Sequence, residues 1–369
     1  MTQPDPPADS SAVAAADSPA IAAADSSAVA AADSSAVAAA VPVAVPVAGA
    51  AVQPDAVATA RLAAVFLALA FVTWLLIGFG ALVRGNQAGL ACPDWPLCHG
   101  ALVPDLALKG VVYEWGHRLL AGAVSVLYAA CTLWLWRIKS LWALLGRWAA
   151  GAGALLMAQI VLGGLTVLIV DHVSGVARPA DWTVTLHLIL GNLFAAAVLL
   201  IGLRLRARLD VAPGSVAPGS VASGAVAPDA LARRLLVVWT AVLAGQFVLG
   251  GIIASNLMGL VCNEFPTCAA GQWFPTLEGF VGLQILHRLT AYALAVLAIS
   301  LAWTGRRTGR FGRSALGLVA LIAVQVSLGA ANIWFHLVPW VTAGHTLGAS
   351  ALVLITAVLL RDAWRPVVR

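Results

Sequence analysis

Long apolar stretches alternate with short polar ones along this chain, and eight of the stretches approach the roughly 20 residues a helix needs to cross a bilayer. They run near Leu62–Val83, Trp115–Trp136, Trp148–Val170, Trp182–Leu203, Leu235–Leu257, Val281–Trp303, Ala315–Leu337 and Val341–Leu360. The pattern predicts an all-α integral membrane protein with eight transmembrane helices.

A second pattern overlies the first. Cys92-Pro-Asp-Trp-Pro-Leu-Cys98 recurs as Cys262-Asn-Glu-Phe-Pro-Thr-Cys268, 170 positions on. The same shift carries Gly80 onto Gly250, His117 onto His287, Arg118 onto Arg288 and Ala121 onto Ala291. One offset shared by loop and helix points to duplication of an ancestral unit. The expected architecture is two duplicated four-helix bundles, residues 61–204 and 235–361, joined by a cytoplasmic linker over 205–234. The pair that breaks the correspondence is Glu114 and Gln284. The two side chains share a shape, but only the glutamate can exchange a proton.

Composition narrows the class. Hydrophobic residues make up 61% of the 369, charged residues 10%, and the mean hydropathy is +0.94. An ordinary soluble domain carries about 25% charged residues. With both termini cytoplasmic, Arg61, Arg137, Lys139, Arg147, Arg204, Arg206, Arg208, Arg233, Arg234, Arg306, Arg307, Arg310, Arg313, Arg361, Arg365 and Arg369 all lie inside. Arg84, Lys109, Arg118, Arg178 and Arg288 are the remainder. That bias sets the orientation, so the net charge of +5 reads as topology and no nucleic-acid partner is expected. Residues 1–60 form a low-complexity tail with an octapeptide repeat marked by Asp9, Asp17, Asp25 and Asp33. Its Asp-Ser pairs and later prolines disfavour a long helix, and it lacks a secretory signal pattern. The Val-Ala-Pro-Gly-Ser repeats around Val211–Ala230 read as a flexible tether, and residues 362–369 as a short cytoplasmic tail.

Candidate chemistry gathers at one depth. His117, His187, His287 and His345 each fall near the outer, N-terminal end of an even-numbered helix. Ionisable groups inside a membrane are costly and usually functional. Two histidines per half, on different helices of a four-helix bundle, suit axial ligation of a haem. Zinc or copper would normally need a third or fourth side chain, and no Cys, Asp or Glu partners all four. Arg118 and Arg288, next to two of these histidines, suit either snorkelling to headgroups or contact with haem propionates. His99, His172 and His336 lack the repeat relationship and read as loop residues.

Cys92 with Cys98, and Cys262 with Cys268, fall in outer loops, a compartment that permits disulfides. Their spacing differs from the two-residue spacing of common zinc or redox pairs, so a structural disulfide in each loop is expected. Each would contribute roughly 2 kcal/mol in the chain-entropy picture. A redox role for the first pair stays open, because it lies close in sequence to Glu114. Cys131 reads as a small apolar packing residue.

Gly80-Ala-Leu-Val-Arg84, Gly89-Leu-Ala-Cys-Pro-Asp-Trp-Pro-Leu-Cys-His-Gly100, Glu114-Trp-Gly-His-Arg118 and Leu162-Gly-Gly-Leu-Thr166 together resemble the haem A synthase family, bacterial and mitochondrial, over about residues 61–361. The resemblance implies an enzyme that oxidises a porphyrin methyl group of haem O to the formyl group of haem A, by successive hydroxylations and loss of water. It implies His117 and His187 as ligands of the substrate haem, His287 and His345 as ligands of a resident haem b, and Glu114 as the catalytic carboxylate. It also makes Cys92 and Cys98 the family's outer disulfide. Expected partners are the lipid bilayer, haem O, haem O synthase, cytochrome oxidase assembly and an unidentified electron donor. The second cysteine pair and the repetitive tail depart from the simplest pattern. A non-enzymatic di-haem electron-transfer cytochrome would share every histidine but would need neither Glu114 nor unequal halves. A haem transporter fits less well, because midplane helix breaks in corresponding places are not evident.

Overall fold

The structure, a computed structural model, describes residues 54–173, 175–209, 230–308 and 312–364. Among the described residues eight helices are present, each long and apolar enough to cross a membrane. They are α1 (Pro54–Gly85), α2 (Val111–Arg137), α3 (Lys139–Leu168), α4 (Asp181–Leu209), α5 (Ala230–Ser255), α6 (Gly279–Thr308), α7 (Gly312–Trp334) and α8 (Pro339–Ala363). The all-α, eight-span expectation holds. A small antiparallel hairpin between α3 and α4, β1 (Val170–Val173) and β2 (Val176–Pro179), was not foreseen.

The helices outrun the apolar stretches that announced them. Hydropathy marks where lipid begins, whereas backbone hydrogen bonding continues through polar residues that tolerate a helix. So α1 starts at Pro54, inside the segment expected as tail. The outer parts of the expected linker also belong to α4 and α5. Residues 1–53, 210–229 and 365–369, which carry the octapeptide repeats, the Pro-Gly-Ser repeats and the end of the C-terminal tail, lie outside the described residues. Between α2 and α3 only Ile138 leaves the helix, with extended backbone. Pro339 stands at the first position of α8, where its missing N–H has no helical partner to lose.

Helices α1 to α4 close into one ring, with α1 against α2 and α4 and α3 against α2 and α4. Helices α5 to α8 close into a second. The rings join through α1 with α8 and through α4 with α5 and α8. The Trp74 indole N–H donates to the Leu347 carbonyl at 3.0 Å across that seam. Asn256 on the α5 side donates to Asp181 at 3.0 Å. The described residues accordingly form one compact unit.

Each ring has its dense core away from the histidines. In the first, Leu62, Phe66, Leu69, Tyr128, Leu135, Leu145, Phe194 and Ile201 are buried together. In the second, Leu236, Trp239, Leu294, Leu318, Leu352 and Leu359 are. Two of the polar groups inside these cores are paired, as a low-dielectric setting favours. The Tyr128 hydroxyl donates to Ala149, and the Trp239 indole N–H donates to the Thr356 hydroxyl at 2.8 Å. Along every even-numbered helix the histidine comes first and the core residues follow: His117 before Val124 and Tyr128, His287 before Leu294 and Ala298.

Candidate functional site

His117, His187 and His345 each stand six residues past the first residue of their helices, and His287 stands eight past the start of α6. At 1.5 Å per residue that is about 9–12 Å into the helix. His117 and His187 are electrostatic neighbours, as are His287 and His345. The structure thus brings the four expected ligands together as two pairs, one in each ring.

All four rings rest on glycine. A Cβ added to Gly80 on α1 would lie 3.2 Å from His117 Cε1, and one on Gly250 of α5 would lie 3.2 Å from His287 Cε1. For Gly163 on α3 and His187 the distance is 3.5 Å, and for Gly329 on α7 and His345 it is 3.4 Å. Glycine here makes room for an imidazole edge. Phe79 adds an edge-on aromatic contact to His117, with centroids 5.9 Å apart. Each of the four histidines is half-buried as a residue. All four Nδ1 atoms are buried with no hydrogen-bond partner among the described residues. An orphaned buried polar atom costs about 1–3 kcal/mol, so the same orphan four times over is a strong mark of a ligand site. Among the described residues no group of three His, Cys, Asp or Glu could hold a bare metal ion. Paired imidazoles without further donors fit the two axial positions of a haem iron.

Glutamines, missed in the sequence, back three of the four histidines. Gln159 Nε2 donates to the backbone carbonyl of His187 at 2.7 Å, Gln246 to that of His287 at 3.0 Å and Gln325 to that of His345 at 2.8 Å. Each precedes its cradle glycine by four residues, one helical turn, in a Gln-x-x-x-Gly pattern that repeats on α3, α5 and α7. On α1 the corresponding residue is Leu76. The repeated spacing was visible in the sequence and could have found them.

Above the first pair sits the Cys92–Cys98 loop. The start of α2 is set by Gly110, whose φ of +82° suits glycine and whose absent Cβ leaves room for Ala88 and Ala91. One turn in, Glu114 is 5% exposed. Its Oε2 accepts the Cys92 N–H at 2.8 Å and its Oε1 pairs with Arg118 at 2.5 Å. Arg118 also donates to the carbonyls of Asp94 and Leu97 at 2.7 Å and Cys92 at 3.0 Å. In the second half Arg288 donates to the carbonyls of Thr267 at 2.7 Å and Cys262 at 2.9 Å, whereas Gln284 Oε1 is buried without a partner. The planar fork of each guanidinium gathers carbonyls of its own tight loop.

Both loops are closed by disulfides, Cys92–Cys98 and Cys262–Cys268, with Cα atoms 4.7 and 4.3 Å apart. Asp94 accepts the backbone N–H groups of His99 at 2.6 Å and Gly100 at 2.8 Å. The Gly100 bond above all holds its carboxyl below the usual range. Glu264, its counterpart, accepts from Gly271 and Thr267, and those bonds lower its pKa likewise. His99 contacts the Ala91 carbonyl from within the loop, His172 lies on β1 and His336 follows α7. Cys131 is buried and free, packed in the first core.

Fold and site together define a multi-pass, all-α membrane protein with two pairs of intramembrane histidines. The chain belongs to the COX15-CtaA family, cytochrome oxidase assembly proteins, whose family model matches residues 60–358. It is similar to the haem A synthase of Symbiobacterium thermophilum, 32% identical over 278 residues covering 73% of this chain and 84% of that protein. It is also similar to the haem A synthase of Shewanella oneidensis, 30% identical over 78% of this chain and 92% of that one. The haem A synthase of Methylorubrum extorquens is 29% identical over 79% and 84%.

Proposed function

We propose that this chain is a haem A synthase, oxidising a porphyrin methyl group of haem O to the formyl group of haem A for cytochrome oxidase. Family membership and the names of its relatives support the reaction. The observation that carries the site is the set of four buried, unpartnered histidine Nδ1 atoms over glycine cradles. In this reading His117 and His187 hold the substrate haem, and His287 and His345 hold haem b. Haem b, when bound, would supply a one-electron carrier beside the substrate site.

The remaining work falls to Glu114. With Oε1 on Arg118 and Oε2 on the Cys92 N–H, the carboxyl group is fixed in position one turn before His117. Each oxygen keeps a lone pair that can accept a proton released as the methyl carbon is oxidised. Gln284 leaves the second half without that capacity. The disulfide loops share a side with the histidines, and disulfides persist in oxidising compartments. That supports extracytoplasmic histidines and cytoplasmic termini, as the basic residues also do.

One observation favours a second reading. Glu114 is tied to the loop as a structural clasp would be, which a di-haem electron carrier could equally use. Expressing the full chain in cells that make haem O but not haem A separates the two. Haem A in the membrane extract supports the synthase, and haem O left unconverted beside folded protein supports the carrier.

A further inference from the structure

The glutamine pattern divides the four histidines three to one. Behind His187, His287 and His345 an amide from the preceding helix grips the histidine's own backbone carbonyl. Each amide has a made place. Gln159 lies against Gly191, where an added Cβ would be 3.6 Å from its amide atoms, and Gln325 lies against Gly348. Gln246 Oε1 accepts the Thr290 hydroxyl, which turns its N–H donors toward His287. Behind His117 both partners are apolar: Leu76 stands at the Gln246 position, and Leu120 at that of Thr290. The glycine cradle is kept, since Gly80 meets His117 as Gly250 meets His287. What differs is the tie between helices at the depth of the ring.

We propose that Gln159, Gln246 and Gln325 are positioning residues that hold three histidines against iron, and that Leu76 leaves His117 as the one that can let go. This rests on the reading of the histidines as haem ligands. A histidine ring is aimed by its helix backbone as well as by its own torsions. A hydrogen bond to the carbonyl of that same residue resists the small helix shift that would draw the ring off the metal. Two gripped histidines suit a haem that stays six-coordinate and only carries electrons. One gripped and one ungripped histidine suit a substrate that must be held yet expose an iron face. Glu114, three residues before His117 and on the same face of α2, then stands beside the ligand that moves.

Carbon monoxide binding by the reduced, full-length protein carrying haem b and haem O tests this without turnover, because carbon monoxide needs a vacated axial position. Wild type should bind it at the haem O site and scarcely at the haem b site. Gln246→Met and Gln325→Met keep length and packing but remove the donor. Each should raise carbon monoxide binding at haem b roughly fivefold, the equilibrium factor of one net hydrogen bond. Leu76→Gln should lower binding at haem O by a similar factor and does not depend on the fold tolerating a lost bond. Unchanged binding at haem b in both methionine variants, or at haem O in Leu76→Gln, overturns the proposal. Failure of the ligand reading itself looks different: His287→Ala would then keep haem b with an unaltered spectrum.

Discussion

Replacing Glu114 by Gln changes one atom of the side chain and removes the feature that most separates the two halves. Two bonds are at stake. Oε1 meets Arg118 at 2.5 Å and Oε2 meets the Cys92 N–H at 2.8 Å, in a residue 5% exposed. Both neighbours are donors, so an amide must turn its own NH2 toward one of them. Breaking a buried ion pair costs about 3–5 kcal/mol when the surviving charge is stranded. Arg118 is not stranded, because three loop carbonyls still hold it. The expected loss is therefore nearer the value of a single charge-assisted bond, about 1.5–3 kcal/mol. The Gln284 site, where Arg288 keeps two carbonyls, indicates that such a loop still closes. Hydrogen exchange of residues 88–110 should quicken while haem content stays near wild type. Haem A output should fall by about 100-fold or more if the carboxylate moves protons. Arg118→Gln provides the contrast, since it loosens the same loop and keeps the carboxylate. If Glu114→Gln makes haem A normally, the catalytic reading is wrong. If both variants lose the same activity, Glu114 acts through the loop alone.

His287→Ala or His345→Ala should each remove or destabilise the resident haem b, because no neighbouring donor replaces the lost bond; a full haem b spectrum in both would refute the assignment. Gly250→Ala puts a Cβ 3.2 Å from His287 Cε1, an overpacking worth about 1–3 kcal/mol, and should lower haem b retention in a chelation or heme-transfer assay while Gly245→Ala, with nothing near its Cβ, does not. Asp94 has its carboxyl held down by the Gly100 and His99 N–H groups, so its contribution to loop order is present above its unfolded pKa of about 3.9 and fades as pH falls through the lower folded value. Hydrogen exchange at His99 and Gly100 should show that acid loosening, and Asp94→Asn should loosen them at neutral pH; an Asn variant as protected as wild type would contradict it.

The eight spans were legible because lipid demands long apolar runs, and the four histidines because charge-capable groups stand out against such runs. Glutamines do not stand out. Gln159, Gln246 and Gln325 are uncharged residues inside apolar helices, and only their four-residue spacing from glycine gives them away. Arg118 and Arg288 were visible as interfacial cations. Their acceptors, though, are carbonyls 21 to 26 residues upstream, which neither periodicity nor local spacing brings near. The hairpin at β1 and β2 rests on a register between two strands of four residues, too short for alternation to declare. Helix ends were set too tight for the opposite reason: the backbone ladder continues past the lipid-facing stretch.

In the proposed function each half holds a haem between two histidines, and the halves hold different ones. Extracting and identifying the haems of the purified full-length protein, alongside a His117→Ala, His187→Ala double variant, addresses it directly. Haem b together with haem O or haem A is expected in the wild type, and haem b alone when the first pair of histidines is gone. Haem b alone in the wild type at two per chain, or an unchanged haem complement in the double variant, would contradict it.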